Sequence, residues 1–185
     1  MNLNIIISEA DMLVPNDVPI ADKVVWLNAL NQDFFNVVKI PKITTFECVS
    51  GQSDYVLLSE ISQKNIDLVM VGMFTYKSLV RDDVTPAQNA YTFSDDTRTL
   101  SLFPAPYSSL KGVLRYRRVA TSQFLSTMLT VPPDAPEEYH WTFIPGLASM
   151  LANSQDDMTK ASNYESQYKA AWNVAAQNYQ AGAGQ

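Results

Sequence analysis

His140 and Cys48 are the only histidine and the only cysteine in the 185 residues. A Ser-His-Asp arrangement would have to use His140, and a Cys/His zinc centre needs several ligands that the chain lacks. His140 lies in Glu137-Glu138-Tyr139-His140-Trp141, one turn into an expected helix. It reads as a surface or interface histidine. Cys48 lies in the alternating run Thr44-Thr45-Phe46-Glu47-Cys48-Val49 and reads as a small core-facing residue. As a lone cysteine it can form no intrachain disulfide. Carboxylates come as adjacent pairs, Glu137-Glu138, Asp82-Asp83, Asp95-Asp96 and Asp156-Asp157. Adjacent helical positions do not face each other, so these are poor acid/base pairs, and no alternating acidic loop around a glycine is present for calcium. The six glycines are scattered, with no phosphate-cradling run. The expectation is no catalytic residue, no metal site and no cofactor; any function lies in surfaces.

Two sets of side chains could make such surfaces. Arg98, Lys111, Arg115, Arg117 and Arg118 are five of the 13 basic residues. Arg115 and Arg117 share one face of an expected strand, because strand side chains alternate. They read either as a patch for an acidic partner or DNA backbone, or, the favoured reading, as a solvated face pairing with nearby Asp. The second set is aromatic. Tyr164, Tyr168, Trp172 and Tyr179 follow at helical steps, and serve either the protein's own core or a partner. Trp26 and Phe35 lie off the apolar stripe of an earlier helix and suggest a further contact surface.

The elements that position these residues follow from periodicity. Ile20, Val24, Leu27, Leu30, Phe34 and Val37 keep helical spacing, which predicts a helix over 20–38, with Asp17 or Asp22 as cap and Pro41 as stop. Residues 43–120 read as strands: a hairpin over 43–58 about Ser50–Asp54, a strand from Ile66 to Phe74 with a bulge at Gly72, a loop from Tyr76 to Ala90, a hairpin about Ser94–Thr97, and a strand from Gly112 to Val119. Asp134 and Glu137 resemble a capping box for a helix over 135–152, which Pro145-Gly146 kinks or breaks. Asp156-Asp157 precede a long final helix, with acidic charge near its positive end. The whole is an α+β protein: one domain over 1–180 with helices at 135–180, then a mobile tail at 181–185.

An apolar fraction of 46% supplies a core, and a net charge of −6 argues against gripping nucleic acid. The amino terminus lacks the basic flank of a signal peptide, and no apolar run is long enough to span a bilayer. A cytoplasm-like compartment is expected, with no membrane partner.

The order of motifs resembles the head-to-tail adaptor (connector, or head-completion) proteins of tailed bacteriophages. The carrying features are Trp26 with Phe34-Phe35; Ser50-Gly51-Gln52-Ser53-Asp54-Tyr55-Val56-Leu57, where the family has Gly-x-x-x-Tyr-x-Leu; Leu100-Ser101-Leu102-Phe103-Pro104-Ala105-Pro106; Leu114-Arg115-Tyr116-Arg117-Arg118; Val131-Pro132-Pro133-Asp134 leading to Tyr139; and Ala161, Tyr164 and Tyr168. The departures are Leu57-Leu58 where the family has Leu-Pro, Val131-Pro132 where it has Leu-Pro, the Pro145-Gly146 pair and the long 76–90 loop. The resemblance implies a structural virion protein, made in the host cytoplasm and resident in the neck. It implies a ring, commonly dodecameric, under the portal, which extends the DNA channel and offers a platform to the next tail component (nozzle, stopper or tail tube). DNA passes through without sequence-specific binding, and no cofactor is implied. By residue, it nominates Tyr168, Trp172, Tyr179 and Gln185 with the 181–185 tail as portal-facing. Trp26, Phe35, Arg115, Arg117 and Arg118 become subunit-interface or channel-facing candidates, and the hairpins about Ser50–Asp54 and Ser94–Thr97 face the channel or the tail side. The alternatives are another neck protein, a stopper or tail terminator, which usually lacks two long closing helices, or a tail-associated cell-wall hydrolase using Glu137 or Glu138.

Overall fold

The computed structural model describes residues 1–79 and 88–182. Among them are four α-helices and a seven-stranded, mostly antiparallel sheet, so the α+β class holds. The chain gathers into two compact units, Met1–Lys39 with Ala120–Gln185, and Ile40–Val119.

The first unit is helical. Helix α1 (Leu3–Leu13) begins at Asn2, whose side chain accepts the Ile5 N–H at 3.1 Å, and it buries Leu3, Ile6, Ile7 and Ala10. Its apolar residues fall at i, i+3, i+4 and i+7, one face of a helix. This helix was not expected from the sequence. Helix α2 (Ile20–Val37) lies where the apolar stripe put it, but Pro19 precedes it and neither Asp17 nor Asp22 caps it; Asp22 sits in its first turn. Lys23 is buried, and its ammonium donates to both oxygens of Asp11, at 2.7 and 2.8 Å, tying α2 to α1.

The expected capping box does not form. The turn after Asp134 is a 3₁₀ helix, Glu137–Thr142, which runs into α3 (Phe143–Ser154). The break expected at Pro145-Gly146 therefore falls two residues earlier, where 3₁₀ winding becomes α. Pro145 sits in the first turn of α3, where a missing N–H leaves no bond unmade. Gly146 lets α2 approach, since a Cβ there would lie 3.0 Å from Leu30 Cδ1. Helix α4 (Met158–Gly182) starts at Asp157, whose carboxylate accepts the Lys160 N–H at 3.1 Å. It continues to Gly182, so the expected tail at 181–185 begins inside a helix; 183–185 lie outside the described residues. Helix α3 packs against α1, α2 and α4.

The second unit is the sheet. Its strands are β1 (Pro41–Cys48), β2 (Asp54–Val56), β3 (Ile66–Val71), β4 (Phe74–Ser78), β5 (Ala90–Ser94), β6 (Thr99–Phe103) and β7 (Leu110–Arg117), ordered β1-β7-β3-β4-β5-β6-β2. The hairpin expected over 43–58 is absent. β1 pairs with β7 and β2 with β6, so sequence neighbours stand at opposite edges of the sheet. A short link joins those edges, and the Phe46 and Tyr55 rings meet at 5.2 Å, so the sheet curls toward closure. The β5–β6 hairpin formed as expected. Gly72 is not a bulge: with φ +59 it opens the two-residue turn between β3 and β4, and the irregularity lies at Ile66/Leu68. Tyr76–Ser78 belong to β4 rather than to a loop, and residues 80–87 lie outside the described residues. The Phe103–Pro104 peptide is cis. The inner face packs Tyr55, Ile61, Val69, Val71, Tyr76, Tyr91, Phe93, Leu100, Leu102, Leu114 and Tyr116.

Candidate functional site

Within the helical unit, the aromatic stripe of α4 turns inward. Trp172 is 2% exposed. Its Nε1–H donates to Thr142 Oγ1 at 2.8 Å, and its ring meets Tyr168 at 4.7 Å, Phe34 at 5.5 Å and Phe143 at 6.3 Å. Tyr168 is buried as well, and burial pushes its hydroxyl above the usual phenol range. Both rings, nominated above as portal-facing, are buried within the helical unit of the single chain. Phe35, one of the interface candidates, is also core, edge-on to Phe34 at 5.3 Å. Tyr179 is half-buried, and Gln185 lies outside the described residues.

Trp26 keeps its candidacy. It is half-buried, and with Val18, Pro19, Asp22, Val25 and Ser154 it lines a shallow cleft of about 340 Å³. Val25 in that wall is 63% exposed. Four helical residues per turn-and-a-bit bring Asp22, Val25 and Trp26 onto one side of α2.

In the sheet unit the three arginines divide. Arg117 Nε lies 3.3 Å from Asp67 Oδ2 and Arg118 Nε lies 3.6 Å from Glu60 Oε2, the pairing with neighbouring acids that the sequence favoured. Glu60 anchors a small polar cluster. Burial raises its carboxyl, but hydrogen bonds from the Tyr116 hydroxyl and from Lys42 outweigh that and hold it below the ordinary value. Burial first, and then Glu60, push the Tyr116 hydroxyl well above the usual range. Arg115 differs: it is exposed and makes no ion pair among the described residues. Its cross-strand partners are Ile43, 69% exposed, and Leu68. An unpaired guanidinium between aliphatic side chains is a composition common at protein interfaces.

His140 is not at a surface: it is buried, Nε2–H donates to the Ala135 carbonyl at 2.7 Å, and Nδ1 accepts from the Met1 amino group at 3.3 Å. Cys48 is buried in the sheet core as expected, and burial raises its thiol. Glu137 and Glu138 are both exposed. Among the described residues no group of His, Cys, Asp and Glu could hold a metal ion, and no helix is long and apolar enough to cross a membrane.

Sequence reasoning missed one surface. The β3–β4 turn exposes Met73, at 91%, and Phe74, whose ring meets Tyr107, 74% exposed, at 6.2 Å. The only sequence signal was Gly72 inside an apolar run, which marks a turn as well as a bulge.

What the geometry defines is an α+β protein of two compact units, one helical and one built on the sheet. The chain belongs to the SU10 adaptor protein family, whose model matches residues 1–185. It is a phage adaptor, a structural component of the virion neck from a family of structural proteins, and adaptors bind portal and tail components. A comparison with curated proteins found no match.

Proposed function

We propose that copies of this chain form a ring, commonly of twelve, beneath the portal, extend the DNA channel, and present a platform to the next tail component. The observation that carries this reading beyond the family is α4. It runs 25 residues, and among the described side chains Ala175 is the last that is buried. Along the turn that follows, Gln177, Asn178 and Gln180 are exposed, and this polar surface is the one we assign to a portal ring. Two closing helices also favour an adaptor over a stopper or tail terminator. DNA crosses the ring without sequence-specific contact, and the acidic balance of −6 weakens any grip on phosphate.

Docking on this reading belongs to the end of α4, with Tyr179 and the residues after it, while Tyr168 and Trp172 hold α4 in place. The test is electron microscopy of the protein mixed with portal rings of the same phage. The full chain adds a second ring at one end; a chain lacking 178–185 stays folded by circular dichroism and adds none. A truncated chain that decorates portals normally would sink the docking assignment.

A further inference from the structure

We propose that the α2 cleft of one copy receives Arg115 of the next copy, joining subunits head to tail. The proposal rests on the ring reading above and names the two surfaces that close it.

The sheet supplies the inserting side. Ile43, Arg115 and Leu68 form one row across β1, β7 and β3, with Val113 and Met70 paired in an adjacent row. Inner-face residues Leu114 and Tyr116 are fully buried, so by alternation Arg115 and Val113 point to the opposite face. An arginine there, with no acidic partner among the described residues, is ready for an acceptor from outside.

The helical unit supplies the acceptor. The cleft joins an indole, Trp26, and a carboxylate, Asp22, with Val25 and Pro19 as apolar walls. Asp22 is exposed and makes no ion pair among the described residues. A guanidinium stacks on an indole face and takes a carboxylate in a planar, two-bond contact, while Ile43 and Leu68 beside it match the aliphatic walls. A lysine meets only part of that specification.

Charge selects the occupant. Residues 1–39 and 120–185 hold four basic and eleven acidic residues, a net −7; residues 40–119 hold nine and eight, a net +1. Sheet facing sheet would set Arg115 against Arg115, and cleft facing cleft would set Asp22 against Asp22. Only the unlike contact is attractive. A contact between two different patches of identical chains is heterologous, and closes into a ring when its rotation allows.

The test uses the full-length chain as wild type, Arg115→Glu, Asp22→Arg and the double variant, read by native mass spectrometry alone and by ring occupancy on portal rings of the same phage. Both positions are exposed, and circular dichroism checks that each variant folds. Each single change lowers self-association or ring occupancy about tenfold or more, and the double variant, with the charges exchanged, recovers most of it. Arg115→Lys falls between. Folded single variants that assemble as wild type, or a double variant as weak as the singles, overturn the contact. A wild type that rings the portal while the variants are indifferent overturns this contact alone; a wild type that never binds portal overturns the adaptor reading instead.

Discussion

Asp134 is a carboxylate that sequence spacing gave one job and the fold gave another. It accepts from the Thr121 and Ser122 N–H groups, both at 2.8 Å, from Ser122 Oγ at 2.6 Å and from Asn31 Nδ2 at 2.9 Å. Burial works to raise its carboxyl, but the Ser122 bonds, with those of Asn31 and Thr121, outweigh burial and hold it below the usual value. A depressed folded value means the stabilisation is full above the unfolded value, about pH 4, and is lost as pH falls through the folded one. Asp134→Asn therefore costs about 1–3 kcal/mol in urea unfolding at neutral pH, and its deficit against wild type narrows below about pH 4. A deficit that does not change with pH would contradict the assignment. Trp172 is the other residue with a clear expectation. Trp172→Ala removes a ring enclosed by three aromatic neighbours and leaves Thr142 Oγ1 without that donor, which costs about 3–5 kcal/mol by the same measurement. Any loss of portal docking in that variant reports unfolding of the helical unit rather than a lost contact.

At the scale of elements, close approach decides what the sequence could not rank. Gly112 faces Phe46 across β7 and β1, and a Cβ there would lie 2.4 Å from Phe46 Cζ. The ring lies directly over the glycine and reaches Tyr55 on β2, so one side chain bridges the two edge strands. Gly112→Val displaces that ring and costs about 1–3 kcal/mol, read as a lower midpoint in denaturant, with the Phe46 and Tyr55 signals shifted in NMR spectra. The elements most legible beforehand were those with a strong local pattern: α2 from its apolar stripe, the β5–β6 hairpin from turn residues flanked by alternation, and α4 from its spacing and its acidic start. The least legible was the pairing of β1. Its alternation marks a strand, but β7 lies far along the chain, and no local signal names a distant partner. Helix α1 was missed for a different reason. Its run of isoleucines has β-branched side chains that also suit a strand, and the Asn2 cap that favours a helix is a single residue.

For the whole molecule, charge divides along the chain in a way that the total of −6 conceals. The helical unit carries the acidic excess, and the sheet unit is near neutral with exposed cations such as Lys111 and Arg115. An assembly joined by exposed unlike charges weakens with salt, because the screening length shrinks from about 14 Å near 0.05 M to about 4 Å near 0.5 M. Over that range self-association of the full chain falls about tenfold in sedimentation velocity, while a purely apolar contact would hold or strengthen. By itself, the sequence determined what periodicity and turn chemistry can carry: the α+β class, the placement of α2 and α4, and, through the order of its motifs, the resemblance to phage adaptors that the family match bears out. The tertiary structure alone decided which aromatic faces inward. Tyr168 and Trp172 share helical spacing with residues that could as well meet a partner, and only the positions of Phe34, Phe143 and Thr142 close around them. It likewise decided that β1 and β2 stand at opposite edges, and that among the described residues Arg115 makes no ion pair while Arg117 and Arg118 do. Spacing along a chain fixes which side chains share a face of one element; which element that face meets depends on residues far away in sequence.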